Sequence, residues 1–121
     1  HPNAARRLNN HAPLLQDTAR LVEAEPLMRR ALTIDEASYG ADHPKVAIRL
    51  NNLAQLLQDT HRRAEAEPLM RRALVVFIGS LGMEHPNSRT VAENYIGLLQ
   101  AMGRTEDDIK LRFAELGVNI Q

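Results

Sequence analysis

Histidine followed by proline recurs at His1, His43 and His85, and histidines at a fixed spacing raise metal binding as the first chemistry to test. A second candidate is the carboxylate pair Glu65 and Glu67 with its copy Glu23 and Glu25, the residue type needed for acid–base work. Arg29 with Arg30, and Arg71 with Arg72, supply planar cations able to hold a carboxylate. The largest group is neutral. Side-chain amides stand at Asn9, Asn10 and Gln16, at Asn51, Asn52, Gln55 and Gln58, and at Asn94 and Gln100. An amide carries both donors and acceptors, so it can pair with the N–H and C=O of an extended peptide whatever that peptide's side chains are. No nucleophile beside a base, glycine-rich phosphate loop or metal-spaced cluster stands in the sequence. The chain therefore reads as non-catalytic and without a cofactor.

What positions these residues is a repeat. The segments HPNAARRLNN, HPKVAIRLNN and HPNSRTVAEN begin at His1, His43 and His85, a period of 42 residues. The first two copies are identical at 26 of 42 positions, far beyond coincidence. In the second copy Val46, Leu50, Leu53, Ala54 and Leu57 fall at steps of three and four, as do Ala66, Leu69, Met70, Ala73, Leu74, Phe77 and Leu81. Each copy thus predicts two amphipathic helices, six in all. The first helix of a copy opens at Pro44, capped by Asp42 or His43, and the second near Ala64 or Glu65. Pro68 and Pro26 fall in or just past the first turn of the second helix, and Gly40 and Gly82 are available to close it. Glu25 and Glu67, four residues ahead of Arg29 and Arg71, are placed for exposed helical ion pairs.

This arrangement redirects the chemistry. Equivalent residues of stacked helical pairs lie roughly 10 Å apart, one helix diameter, whereas zinc nitrogens must all lie about 2 Å from one ion, so the three histidines cannot share a metal. Their expected place is the start of each first helix. Glu65 and Glu67, two apart on a helix, point in different directions, and duplication of the pair argues for architecture.

Composition narrows the partners further. Fifteen basic residues balance fifteen acidic ones, which leaves no electrostatic footprint for nucleic acid or an anionic membrane. The absence of cysteine is compatible with a reducing compartment, and a cytoplasmic location is the expectation. The longest apolar run, Ala73 to Ile78, is far too short to span a bilayer. A start at HPN, without methionine, suggests a piece of a longer protein.

The phrases LNNLAQLL and AEAEPLMRRAL, the terminal HP, and the alternation of large and small residues at Leu50, Leu53, Ala54, Leu57, Ala66, Met70 and Ala73 resemble the tetratricopeptide repeat, in the 42-residue variety of kinesin light chains and many bacterial proteins. HEAT and armadillo repeats have similar lengths, but the small residues at Ala54, Ala66 and Ala73 favour the tetratricopeptide pattern because they let paired helices approach closely. The resemblance implies an all-α, right-handed solenoid of antiparallel helix pairs forming one domain over 1–121, with repeats 1–42, 43–84 and 85–121. It also implies a concave wall built from the first helix of each pair, facing Ile48, Asn51, Asn52, Gln55, Gln58 and Asp59 in the clean copy. The same offsets place Arg6, Asn9, Asn10, Pro13, Gln16 and Asp17 before it, and Thr90, Glu93, Asn94, Gly97, Gln100 and Ala101 after it. Such a groove implies a protein or peptide partner. The amides serve either that peptide or the bridging of neighbouring helices, and self-association into a homo-oligomer or a longer array is the competing expectation.

The first copy departs from the clean one. Pro13 removes a hydrogen bond to the Asn9 carbonyl, and His11 replaces the apolar Leu53, so the first helix is expected to kink near Asn9–Pro13 or to begin only there. His61 stands in the tight turn where the third copy has Gly103 and the first has Ala19; a left-handed backbone is tolerable for histidine and costly for alanine. Ile78, in place of Glu36, suggests an extra apolar spot near the end of its helix. The third copy loses the EAEPL phrase, and Thr105 with Asp108 predicts a short capping helix closed by Gly117.

Overall fold

A computed structural model describes the backbone of residues 15–118 and the side chains of residues 20–118. Five helices and no strand occur among the described residues: α1 Leu15–Tyr39, α2 Pro44–Asp59, α3 Arg63–Leu81, α4 Pro86–Ala101 and α5 Glu106–Glu115. The 42-residue period is visible in the bounds, since α2 and α4 start and stop at equivalent positions and α1 and α3 end at equivalent ones.

Local chemistry sets these bounds. Proline opens α2 and α4, where its missing N–H costs nothing, and the preceding histidine is the cap. Nδ1 of His43 accepts from the Lys45 N–H at 3.1 Å, and Nδ1 of His85 accepts from the Asn87 N–H at the same distance. The His43 ring also stacks on Tyr39, 4.7 Å between centroids. Thr105 opens α5 in the expected way, its Oγ1 accepting from the Asp108 N–H.

Three helices end in one hydrogen-bond pattern. After α2, Arg62 N–H reaches the Leu57 carbonyl and His61 N–H the Gln58 carbonyl; after α4 and α5 the same pairs form at Arg104 and Gly103 and at Val118 and Gly117. This closure needs a positive φ at its central residue, observed at +83° for Gly103, +81° for Gly117 and +62° for His61.

The first copy behaves differently, and the expectation of a turn between helices at Ala19 is corrected here. Where α2 turns at His61, α1 runs unbroken through Ala19 as a helix of 25 residues. The turn would force alanine into a left-handed conformation at a cost of roughly 1–2 kcal/mol, whereas continuing the helix uses the residue with the best helix propensity. Pro26 is consequently not near a helix start but in the interior of α1, leaving the Val22 carbonyl without its helical donor. Pro68, sixth residue of α3, lies just past the first turn as expected. The proposed kink at Asn9–Pro13 and the placement of His11 lie outside the described residues.

Packing joins sequence neighbours: α1 on α2, α2 on α3, α3 on α4 and α4 on α5. The core is the apolar set read from the spacing, with Val46, Leu50, Leu53, Ala54, Leu57, Ala66, Met70, Ala73 and Leu74 fully buried, joined by Tyr95, Leu98, Leu99 and Phe113. Leu81 departs from that set, being partly exposed at its helix end. Ile78 is not an exposed spot; it packs against the core. On α1 the pattern loosens. Leu27 is 67 % and Ile34 56 % exposed, whereas Val76, the α3 equivalent of Ile34, is 5 % exposed beneath its neighbours.

Candidate functional site

Ile48, Asn51, Gln55 and Gln58 follow one another at three- and four-residue steps and so line one face of α2, while on α4 Glu93 and Asn94 lie three and four residues after Thr90 and four and three before Gly97, on one face as well. These two faces border one groove. At its deeper end an open depression of about 420 Å³ lies between Gln55, Gln58 and Asp59 on one wall and Glu93, Asn94 and Gly97 on the other. Towards the helix N-termini a smaller hollow of about 150 Å³ is lined by Ile48 and Asn51, by Asn87, Thr90 and Val91, and by Phe77 of α3.

Most of the groove positions named from the sequence within α2 and α4 come together here, including the amides Asn51, Gln55, Gln58 and Asn94. Asn52 and Gln100 are exposed and line neither hollow. Each is the repeat equivalent of a residue that does line the larger depression: Asn52 stands one period before Asn94, and Gln100 one period after Gln58. Arg6, Asn9, Asn10, Pro13, Gln16 and Asp17 lie outside the residues whose side chains are described. Phe77, Val91 and Asn87 were not among the groove positions expected from the sequence: Phe77 was assigned to the core pattern, Val91 was not singled out, and Asn87 occupies the capping turn, equivalent to Lys45. Asn51, in the lining of the smaller hollow, has its Oδ1 shielded from solvent without a hydrogen-bond partner among the described residues.

The charged groups that resembled catalytic pairs hold repeats together. Arg62, in the α2–α3 turn, reaches back to Glu25 of α1 and also binds Glu65 at 2.5 Å. Glu25 in turn accepts from Arg29 at 2.9 Å, the expected pair one turn along. Its hydrogen bond from Arg62 holds the Glu25 carboxyl below the usual carboxylate range, and the same guanidinium lowers Glu65. In the next copy Glu67 accepts from the buried Tyr95 hydroxyl at 2.5 Å and has Arg71 and Arg112 each at 3.8 Å. Burial first, and the neighbouring Glu67 carboxylate second, push the Tyr95 hydroxyl up to about 12. Tyr95 replaces the apolar Leu53, so its ring fills the same core site against Phe113 while its hydroxyl reaches an acid. Arg72 binds Glu36 across to α1, and Arg49 binds Asp35 at 2.7 Å.

Among the described residues no helix is long and apolar enough to cross a membrane. No curated protein matches the chain. The family model of the tetratricopeptide repeat matches residues 3–77, which takes in the two most similar copies and stops before the third, where the phrase pattern weakens. With that match over more than half the sequence, a 42-residue period, and helical pairs whose small residues are buried at the contacts, the chain belongs to the tetratricopeptide repeat family.

Proposed function

We propose that this chain is a non-catalytic interaction module, a single unit over 1–121, that holds an extended peptide of a partner protein in the groove between α2 and α4. Repeats of this family generally mediate protein–protein interaction. The observation that carries the finer reading is the convergence of Gln55, Gln58 and Asn94 on one open depression. These amides make no mutual hydrogen bond that would occupy them as helix bridges, so their donors and acceptors face the groove. A spacing of roughly 10 Å between helix layers against about 3.3 Å per extended residue gives one amide rung for every three ligand residues. The right-handed superhelix and the kinesin-light-chain variety belong to this same reading.

The test is binding of a positional-scanning library of acetylated, amidated octapeptides to the full chain. Gln55→Ala with Asn94→Ala is expected to weaken the best binders about tenfold, two lost hydrogen bonds of roughly 0.5–1.5 kcal/mol each, with little change in melting temperature. Unchanged affinity in this double variant overturns the groove.

A second reading, stacking of copies, is favoured by one observation: the α1 face carrying Leu27 and Ile34 is open where its α3 equivalent is covered.

A further inference from the structure

Resting on the peptide-groove reading, we infer that the ligand is cationic: a peptide that sets a lysine or arginine over Glu93 and an aliphatic side chain in the smaller hollow three or four residues away.

The deeper depression has two carboxylates and no cation among its six lining residues. Glu93 is exposed and makes no ion pair with any described residue. Asp59 has an interaction of its own, so Glu93 carries the argument. The arginines in the turns that follow α2 and α4 are committed elsewhere: Arg62 to Glu25 and Glu65, and Arg104 to Asp108. Arg89, one turn before Glu93 on α4, is exposed and outside the lining.

Helix polarity acts in the same direction. Gln58 and Asp59 occupy the last turn of α2, so one wall of the depression lies at the carbonyl end of that helix, while Glu93, Asn94 and Gly97 line the other wall from the middle of α4. Neither helix has a basic residue in its last turn, whereas α5 has Arg112 there. Carbonyl ends carry partial negative charge and favour a cation, and here that cation would come from the ligand. A peptide carboxylate or an acidic segment would meet the like charge of Glu93 instead.

At the other end the lining is uncharged, formed by Ile48, Phe77 and Val91 together with Asn51, Asn87 and Thr90. A hollow of about 150 Å³ holds one group the size of benzene, which suits a single Leu, Ile or Met side chain. Along α2 the two linings are centred about eight residues apart, or about 12 Å, a span covered by three to four extended residues.

Capped octapeptides with a fixed leucine and lysine, glutamine or glutamate at the third or fourth following position, on either side, are titrated into the full chain at low and high salt. The expected result is lysine over glutamate by about five- to tenfold at low salt, shrinking at high salt and shrinking likewise in Glu93→Gln. Binding that depends on Gln55 and Asn94 but shows no preference for lysine, or a preference for glutamate, overturns this inference and leaves the groove reading standing. A lysine preference unaltered by Glu93→Gln also overturns it. Binding by no peptide in a groove-dependent way removes the groove reading, and this inference with it.

Discussion

His61 shows how much one side chain decides. It occupies the central residue of a helix-ending motif at φ +62°, where the equivalent motifs after α4 and α5 use glycine. A Cβ there is strained, so His61→Gly is expected to stabilise the protein by about 0.5–1 kcal/mol in urea unfolding, the strain relieved outweighing glycine's greater freedom in the unfolded chain. Loss of stability in that variant would show that the exposed imidazole makes an interaction worth more than the strain. Tyr95 is the opposite case, a polar atom inserted at a core position and satisfied by Glu67. The folded protein keeps this hydroxyl protonated up to about 12, while an unfolded tyrosine ionises near 10. Between those values the folded state binds more protons, so the contribution is complete below about pH 10 and is lost as pH rises towards 12. Tyr95→Phe is expected to cost about 1–2 kcal/mol at neutral pH and to flatten the alkaline fall in stability. Parallel alkaline curves for the two proteins would show that the hydroxyl is not what titrates.

At the scale of elements, small residues set how closely helices pair. Ala73 of α3 is fully buried among the core residues, while its equivalent on α1, Ala31, is half-buried. Ala73→Leu is expected to cost about 1–3 kcal/mol by overpacking with helix content preserved, and Ala31→Leu distinctly less. Equal costs at the two positions would mean that α1 is packed as tightly as α3. The bounds of α2, α4 and α5 were legible in the sequence because each rests on a local device: proline after a capping histidine, Thr105 three residues before Asp108, or a residue able to take positive φ. The extent of α1 was not legible from the repeat alone. Copying the second repeat onto the first predicts a turn at Ala19, and only the residue itself, unable to adopt that turn cheaply, reveals that the helix continues.

For the whole molecule, the question is what meets the open face of α1. If copies stack there, light scattering will give a mass that rises with protein concentration, and Leu27→Gln with Ile34→Gln will return it to that of a monomer. A constant monomer mass in the unaltered protein removes the stacking reading. The groove has the same dependence on neighbours, because every depression needs two adjacent repeats: Asn94 has a facing wall in α2, and Gln100 has none on the described chain. Hydrophobic period, repeat length and most buried positions of α2 and α3 were determined by the sequence alone, since each reflects interactions within a few turns of chain or repeated every 42 residues. Which amides share one hollow, which carboxylates latch one repeat to the next, and which carboxylates line the groove were decided only in three dimensions. Arg62 and Glu25 are 37 residues apart in the chain, and a spacing pattern cannot say which of several arginines a carboxylate will meet once the helices are laid side by side.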